Sequence, residues 1–408
     1  MEPARLRAAS VVAALAAAVA LGAGCADAPP PRPSFLLVTT SALPTASLAC
    51  YGAPGGAGGA ICGLGDRGAR FVWAFTPSPA TAPAAASLLT SQRPSEHGVH
   101  ASAATFLRSG ATTLASVLAR EGYATAAFVA VPDVNRSRNL QQGFEVYDAP
   151  PPAGAASAAA RAADAAYAWL GDRERARPFL VWVHFPSASA AGATAPPLYG
   201  LGLDDLDGYV RMLVARAQET AGEAGVGIAF AALAGADLAS DGGAGGDVAP
   251  LALERVHVPL LWTPPGGVVP QVARAPVPLL DLAPTIVAAA GFSPPESFEG
   301  EGLRVGPLPP TAPRPARPLL LEDDREIGVV LSRRYYARAR DGVVARTALL
   351  PDEGPPPRSS AISPNAEEVA EHEDLLRSAS ASAPLWRNGH SAGGERAFPP
   401  AASGTASR

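Results

Sequence analysis

Five near-continuous apolar runs punctuate the chain: SFLLVTT (Ser34–Thr40), ATAAFVA (Ala124–Ala130), PFLVWVHF (Pro178–Phe185), VGIAFAAL (Val226–Leu233) and VPLLWTP (Val258–Pro264). A strand with one wet face alternates apolar and polar residues, whereas an unbroken run suits a strand covered on both faces. Between these runs, TTLASVLAREG (Thr112–Gly122) opens on a capping Thr and closes on Gly, which predicts a helix. AASAAARAADAAYAWLGDR (Ala155–Arg173) and DDLDGYVRMLVARAQETAG (Asp204–Gly222) carry the helical period, the second opening on Asp204, Asp205 and Asp207 as N-terminal caps. Strands alternating with helices predict an α/β fold with a mostly parallel sheet flanked by helices. Ligands in such folds sit beyond the carboxyl ends of the strands, where Ser41, His184 and Leu233 fall.

From Thr311 the texture changes. TAPRPARP reads as a linker, LLLEDD and IGVVLSRRYYARAR as antiparallel strands, and NAEEVAEHEDLLR as a short helix. Together they predict a small C-terminal α+β subdomain over residues 311–378, after an α/β domain over 34–310. A tail rich in Ser, Ala, Gly and Pro, residues 379–408, is expected to be disordered.

Composition adds little about function. The chain has 408 residues, is 48% hydrophobic, and contains no Lys at all. A net charge of −5 without a basic face argues against nucleic-acid binding. The N-terminus says more. Arg5 and Arg7 precede an apolar run, and Cys25 follows Leu21, Gly22, Ala23 and Gly24. This layout predicts a lipoprotein-type signal peptide (1–24), a lipid attached at Cys25 and an extended tether (25–33). Ordinary secretion is the alternative, and the apolar run is short for a bilayer span. The expected location is the cell envelope, with the membrane reached through the lipid anchor. Cys50 and Cys62 would then meet an oxidising compartment, where a disulfide and two free thiols are both admissible.

Several segments, taken in order, resemble the sulfatase family of the alkaline phosphatase superfamily. LACYGAP follows the first strand, and residues Gly68–His100 resemble the stretch that carries the family nucleophile, ending in Ala-Ser-Leu-Leu-Thr and His-Gly-Val. TTLASVLAREGYATAAFV, NLQQGFEVYD, PFLVWVHF, ERVHVPLLWTPPG and PVPLLDLAPTIVAAAGFSPP continue the series to about Leu303. The resemblance implies a divalent cation, Ca²⁺ or Mg²⁺, held by carboxylates and an amide. It also implies a hydroxyl or formylglycine nucleophile, an Arg behind it, and His or Lys residues on the anion.

The positions that should supply this chemistry depart from the family. Where the first strand ends in an acidic ligand, this chain has Ser41 and Ala42. The nucleophile motif, Cys or Ser followed by any residue, Pro, a small residue and Arg, reads Thr81, Ala82, Pro83, Ala84 and Ala85. Leu233 and Ala234 stand at the late ligand pair, with Gly235 kept. The His after the middle strand is absent from HFPSASA, and a later basic residue falls at Asp247. The expectation is a sulfatase-like lipoprotein without metal-dependent hydrolysis, in a binding or scaffold role, with no cofactor. The alternative is a divergent sulfuric- or phosphoric-ester hydrolase with Ca²⁺ or Mg²⁺ and Thr81 as nucleophile. Thr81 reads more readily as an N-cap than as a nucleophile, Asp237 and Asp241 as solvated loop acids rather than displaced ligands, and His184 as a hydrogen-bonded core histidine ahead of a binding residue at the cleft edge. His97 reads as architectural, and His257 is uninformative.

Overall fold

A computed structural model describes residues 31–53, 57–149, 154–174, 177–189, 200–235, 249–305, 317–340 and 345–351, together with 370, 373, 374, 376 and 377. The expected signal peptide, most of the tether, residues 311–316 of the linker and the 379–408 tail lie outside these residues. Four of the five apolar runs form adjacent parallel strands. They are β1 (Ser34–Thr40), β3 (Ala124–Val129), β5 (Phe179–Phe185) and β8 (Val226–Ala232), in the spatial order β8-β1-β5-β3. Every residue of all four is buried, as unbroken apolar runs require when helices cover both faces. β4 (Val146–Asp148) extends the sheet beyond β3.

The fifth run departs from parallel order. β9 (His257–Thr263) pairs antiparallel with β8 on one side and with β2 (Ala69–Phe75) on the other. β2, read at sequence level only as part of the nucleophile stretch, is thus a strand, edged by β10 (Gln271–Ala273) and β11 (Val277–Pro278). Its pairing with β9 slips between Phe71 and Ala74. Tyr51 fills the irregularity. Its hydroxyl lies 3.0 Å from the Phe71 carbonyl and accepts from Leu260 N–H at 2.9 Å. Two very short strands, β6 (Ala188–Ser189) and β7 (Leu201–Gly202), pair separately.

The helices follow their sequence signals with local corrections. They are α1 (Gly59–Gly65), α2 (Thr81–Thr90), α3 (Pro94–His97), α4 (Leu114–Arg120), α5 (Ala155–Asp172), α6 (Leu203–Thr220), α7 (Leu253–Val256) and α8 (Leu282–Ala289). Thr113 caps α4 through a reciprocal capping box with Ser116. α5 buries Ala158, Ala159, Ala162, Ala163, Ala166 and Leu170, a small-residue stripe that lets it approach α6 closely. Asp204 and Asp205 stand in the first turn of α6, favourably placed for its dipole. Asp207 does something else. Buried on α6, its carboxylate accepts from Ala60 N–H at 2.8 Å and Ile61 N–H at 2.9 Å, capping α1 from across the fold. α1 has no cap of its own, because Gly58 precedes it. The same helix carries Cys62, bonded to Cys50 with Cα atoms 5.5 Å apart.

The C-terminal strands form an antiparallel meander: β12 (Leu319–Glu322), β13 (Glu326–Leu331), β14 (Arg334–Ala339) and β15 (Ala345–Leu349). Leu319, Leu321, Val330 and Tyr335 bury against Trp73, Phe75, Leu251, Leu253 and Val256 in one cluster. Polar ties reinforce the packing: Glu326 accepts from Leu251 N–H at 2.7 Å, and the Tyr335 hydroxyl donates to the Leu251 carbonyl. Arg93, 6% exposed, lies between Glu299 (2.9 Å), Glu96 (3.2 Å) and Glu322 (3.8 Å), so a single cation links α3 to the β12 end. Most of the helix expected over NAEEVAEHEDLLR lies outside the described residues. Its Leu376 is buried with Leu320, Ile327, Val329 and Tyr336.

Candidate active site

The carboxyl ends of β1, β5 and β8 meet where ligands gather in a parallel sheet. Register places Thr39 beside His184 and Leu37 beside Trp182, so Thr39, His184 and Trp182 share one face, with Ser41 one step beyond the strand end. Their side chains form a hydrogen-bonded series. Trp182 Nε1–H donates to Thr39 Oγ1 at 2.8 Å, Thr39 Oγ1 lies 2.7 Å from His184 Nδ1, and His184 Nε2 lies 3.1 Å from Ser41 Oγ.

The chemistry of the first member fixes the rest. Indole N–H only donates, so the Thr39 hydroxyl is free to give its own proton to Nδ1, which leaves the imidazole proton on Nε2. The opposite tautomer strands the buried Thr39 hydroxyl proton with no acceptor among the described residues. His184 therefore donates to Ser41. Burial pushes its pKa down to about 3, so the ring is neutral at physiological pH. A serine beside a histidine normally signals a nucleophile and its base. Here the nitrogen facing Ser41 already holds a proton, and His184 cannot act as that base. Both ring nitrogens are engaged within the fold.

Backbone and hydrocarbon close the rest of the strand-end region. Ser41 N–H donates to the Phe185 carbonyl at 3.0 Å, Leu233 N–H to the Thr40 carbonyl at 2.9 Å, and Leu43 N–H to the Ala234 carbonyl at 3.0 Å. Leu233 is fully buried, and Ala234, Ala42 and Ser41 nearly so. Gly235 has a purely steric reason to persist. A Cβ there would stand 2.1 Å from the Glu254 carbonyl oxygen and 2.4 Å from that of His257. A divalent cation needs about six or more oxygens, with carboxylates to offset its lost hydration. Ser41 offers one hydroxyl already bonded to His184, and Leu233 and Ala234 offer no side-chain oxygen. No three His, Cys, Asp or Glu side chains among the described residues are placed to hold a metal. The residues present at these positions do not fit Ca²⁺ or Mg²⁺. Asp237, Asp241 and Asp247 lie outside the described residues.

Thr81 is the first residue of α2, half-buried, and the N-cap is Ala80 with no side-chain bond. The capping role read from the sequence is therefore corrected by one position. Its hydroxyl makes no hydrogen bond to Ser41 or His184, and none to any other described residue. Ala85, which the resemblance sets at the position of the family Arg, is completely buried and offers no cation there. His97 is architectural, with Nε2 2.9 Å from Ser87 Oγ and Nδ1 accepting from Val99 N–H at 3.0 Å. His257 packs on the Trp73 ring and lies 2.8 Å from the Val72 carbonyl through Nε2. Sequence reasoning missed the Thr39–Trp182 half of the series. Its signal was a polar residue two before Ser41 and an indole two before His184, the spacing that puts side chains on one strand face.

Comparison with known proteins bears on the fold. A family model described as Sulfatase matches residues 33–188. No curated protein matches the chain. Among solved structures, a 2-O GAG sulfatase superposes with a TM-score of 0.66 at 17% identity, covering 85% of this chain and 91% of that one. The phosphonate monoester hydrolase of Agrobacterium radiobacter gives 0.61 at 16%, covering 86% and 96%. A protein of the alkaline phosphatase superfamily from Vibrio parahaemolyticus gives 0.60 at 13%, covering 86% and 87%. Residues 33–188 thus carry the sulfatase family's sequence signature, and the chain has the fold of the sulfatases and their alkaline phosphatase superfamily relatives.

Proposed function

We propose that this protein is a sulfatase-like pseudoenzyme of the cell envelope, acting as a binding or scaffold module rather than as an ester hydrolase. The observation that carries the reading is the buried Leu233, flanked by Ala234 and by a Ser41 that accepts from a neutral histidine. Sulfuryl and phosphoryl transfer need concentrated positive charge to neutralise the departing oxygens. These residues supply none, and Ala85 removes the Arg that would steady a nucleophile. Thr81 keeps a free hydroxyl, but a protonated alcohol with no adjacent base or metal is a weak nucleophile.

Purified full-length protein, incubated with Ca²⁺, Mg²⁺ or Zn²⁺, should turn over 4-nitrophenyl sulfate and 4-nitrophenyl phosphate no faster than buffer, and Thr81→Ala should change nothing. Metal-dependent turnover abolished by Thr81→Ala would establish the divergent hydrolase instead. Anchoring at Cys25 rests on the sequence layout of the N-terminus. Radiolabelled palmitate should enter the membrane-bound wild type, and Cys25→Ser should be released unlabelled.

A further inference from the structure

We propose that the His184–Ser41 hydrogen bond ties the carboxyl ends of β1 and β5 together in place of a divalent cation, so that the fold is held there without calcium or magnesium. The proposal deepens the pseudoenzyme reading and rests on it for the identity of the positions. Three observations support it. First, the tie is continuous and directional: it runs from Trp182 through Thr39 and His184 to Ser41, alternating between the two paired strands. Each donor proton has an acceptor, the Ser41 hydroxyl facing the Phe185 carbonyl at 3.5 Å, and buried polar groups are stabilising only when all are satisfied. Second, the direction of donation opposes a cation. The Nε2–H points its positive end at Ser41 Oγ, the hydroxyl that stands at the ligand position. Third, the neighbouring strand end offers Leu233 and Ala234, which carry no side-chain oxygen, and the Ala234 carbonyl already accepts from Leu43 N–H. A bare dication there would lose its hydration without replacement. The role once open to electrostatic attraction is filled by a neutral hydrogen bond, which needs no ligand at all.

The test uses the full-length protein labelled with ¹⁵N-histidine. The His184 signals should show a protonated Nε2 and a bare Nδ1, unchanged by millimolar calcium or magnesium chloride. Melting curves in EDTA and in excess calcium or magnesium should superimpose. A specifically bound cation in large excess over its Kd would raise the melting temperature by several degrees. Thr39→Val removes the hydroxyl that fixes the tautomer, and should lower the melting temperature and mix the two tautomers. Should that variant not fold, the wild-type spectra and melting curves decide alone. A proton on Nδ1, or metal-dependent shifts of His184 or of the melting temperature, would overturn the proposal. Ester turnover by a metal-indifferent protein would defeat the pseudoenzyme reading while leaving this tie intact. Metal stabilisation without turnover would do the reverse.

Discussion

Among the described residues three histidines are buried, and each should make the fold acid-sensitive. Burial lowers the pKa of His97 and His184 to about 3 and that of His257 to about 4. An unfolded chain takes a proton on each imidazole below its ordinary pKa of about 6.5, and the folded chain does not. The stability these groups confer is therefore complete above pH about 6.5, and it falls away as the pH drops toward 3 to 4. Going from pH 7 to pH 5.5, linkage gives a loss of about 1.2 kcal/mol per histidine and about 4 kcal/mol for all three. Glu96, Asp281 and Glu299 oppose this, since burial raises their pKa values and protonation relieves them. A difference between wild type and a single variant isolates one histidine. His257 is the best choice, because its contacts are the Trp73 and Phe75 rings, the Val72 carbonyl and the Thr45 hydroxyl, none of which titrates here. Non-interacting sites add to within a few tenths of a kcal/mol. Urea unfolding of wild type and His257→Gln at both pH values should therefore show the variant losing about 1.2 kcal/mol less than the wild type. An equal loss in both proteins would refute the reasoning.

Further outcomes follow from single contacts. Leu233→Asp should destabilise the fold by about 3 to 5 kcal/mol in denaturant titrations, with or without calcium, because it buries an unpaired charge. Reducing the Cys50–Cys62 bond, or replacing both residues by Ser, should cost about 3 kcal/mol, read as a lower urea midpoint. Asp207→Ala should cost about 1 to 2 kcal/mol and raise hydrogen exchange at Ala60 and Ile61 N–H, far in sequence from the substitution. Arg93→Met should cost about 3 to 5 kcal/mol at pH 7, since it leaves Glu96, Glu299 and Glu322 facing one another, and the loss should shrink in acid as Glu96 and Glu299, both raised by burial, protonate.

The sheet was legible because its strands are apolar on both faces. Ser34–Thr40 and Phe179–Phe185 carry no internal polar pattern that competes with burial, and their bounds were recovered to within a residue. β2 escaped because ARFVWAF reads as one half of a motif rather than as a run between helices, and its partner β9 inverts direction, which no local pattern announces. The departures from the family motif at Ser41, Thr81, Leu233 and Ala234 are legible as residue types. The hydrogen bonds that surround Ser41 are not, because those between Thr39, His184 and Trp182 depend on the register of strands about 145 residues apart in sequence. Asp207 illustrates the same limit. Its place in the opening turns of α6 gives no sign that its carboxylate serves another helix.

Leu233 also bears on how such a protein changes over generations. Its side chain is fully buried and its N–H donates to the Thr40 carbonyl at the end of β1, so an acid arriving at that position would be a misfit before it could recruit a partner. Drift at this position is therefore confined to apolar side chains, while the exposed surface of the same scaffold stays free to vary.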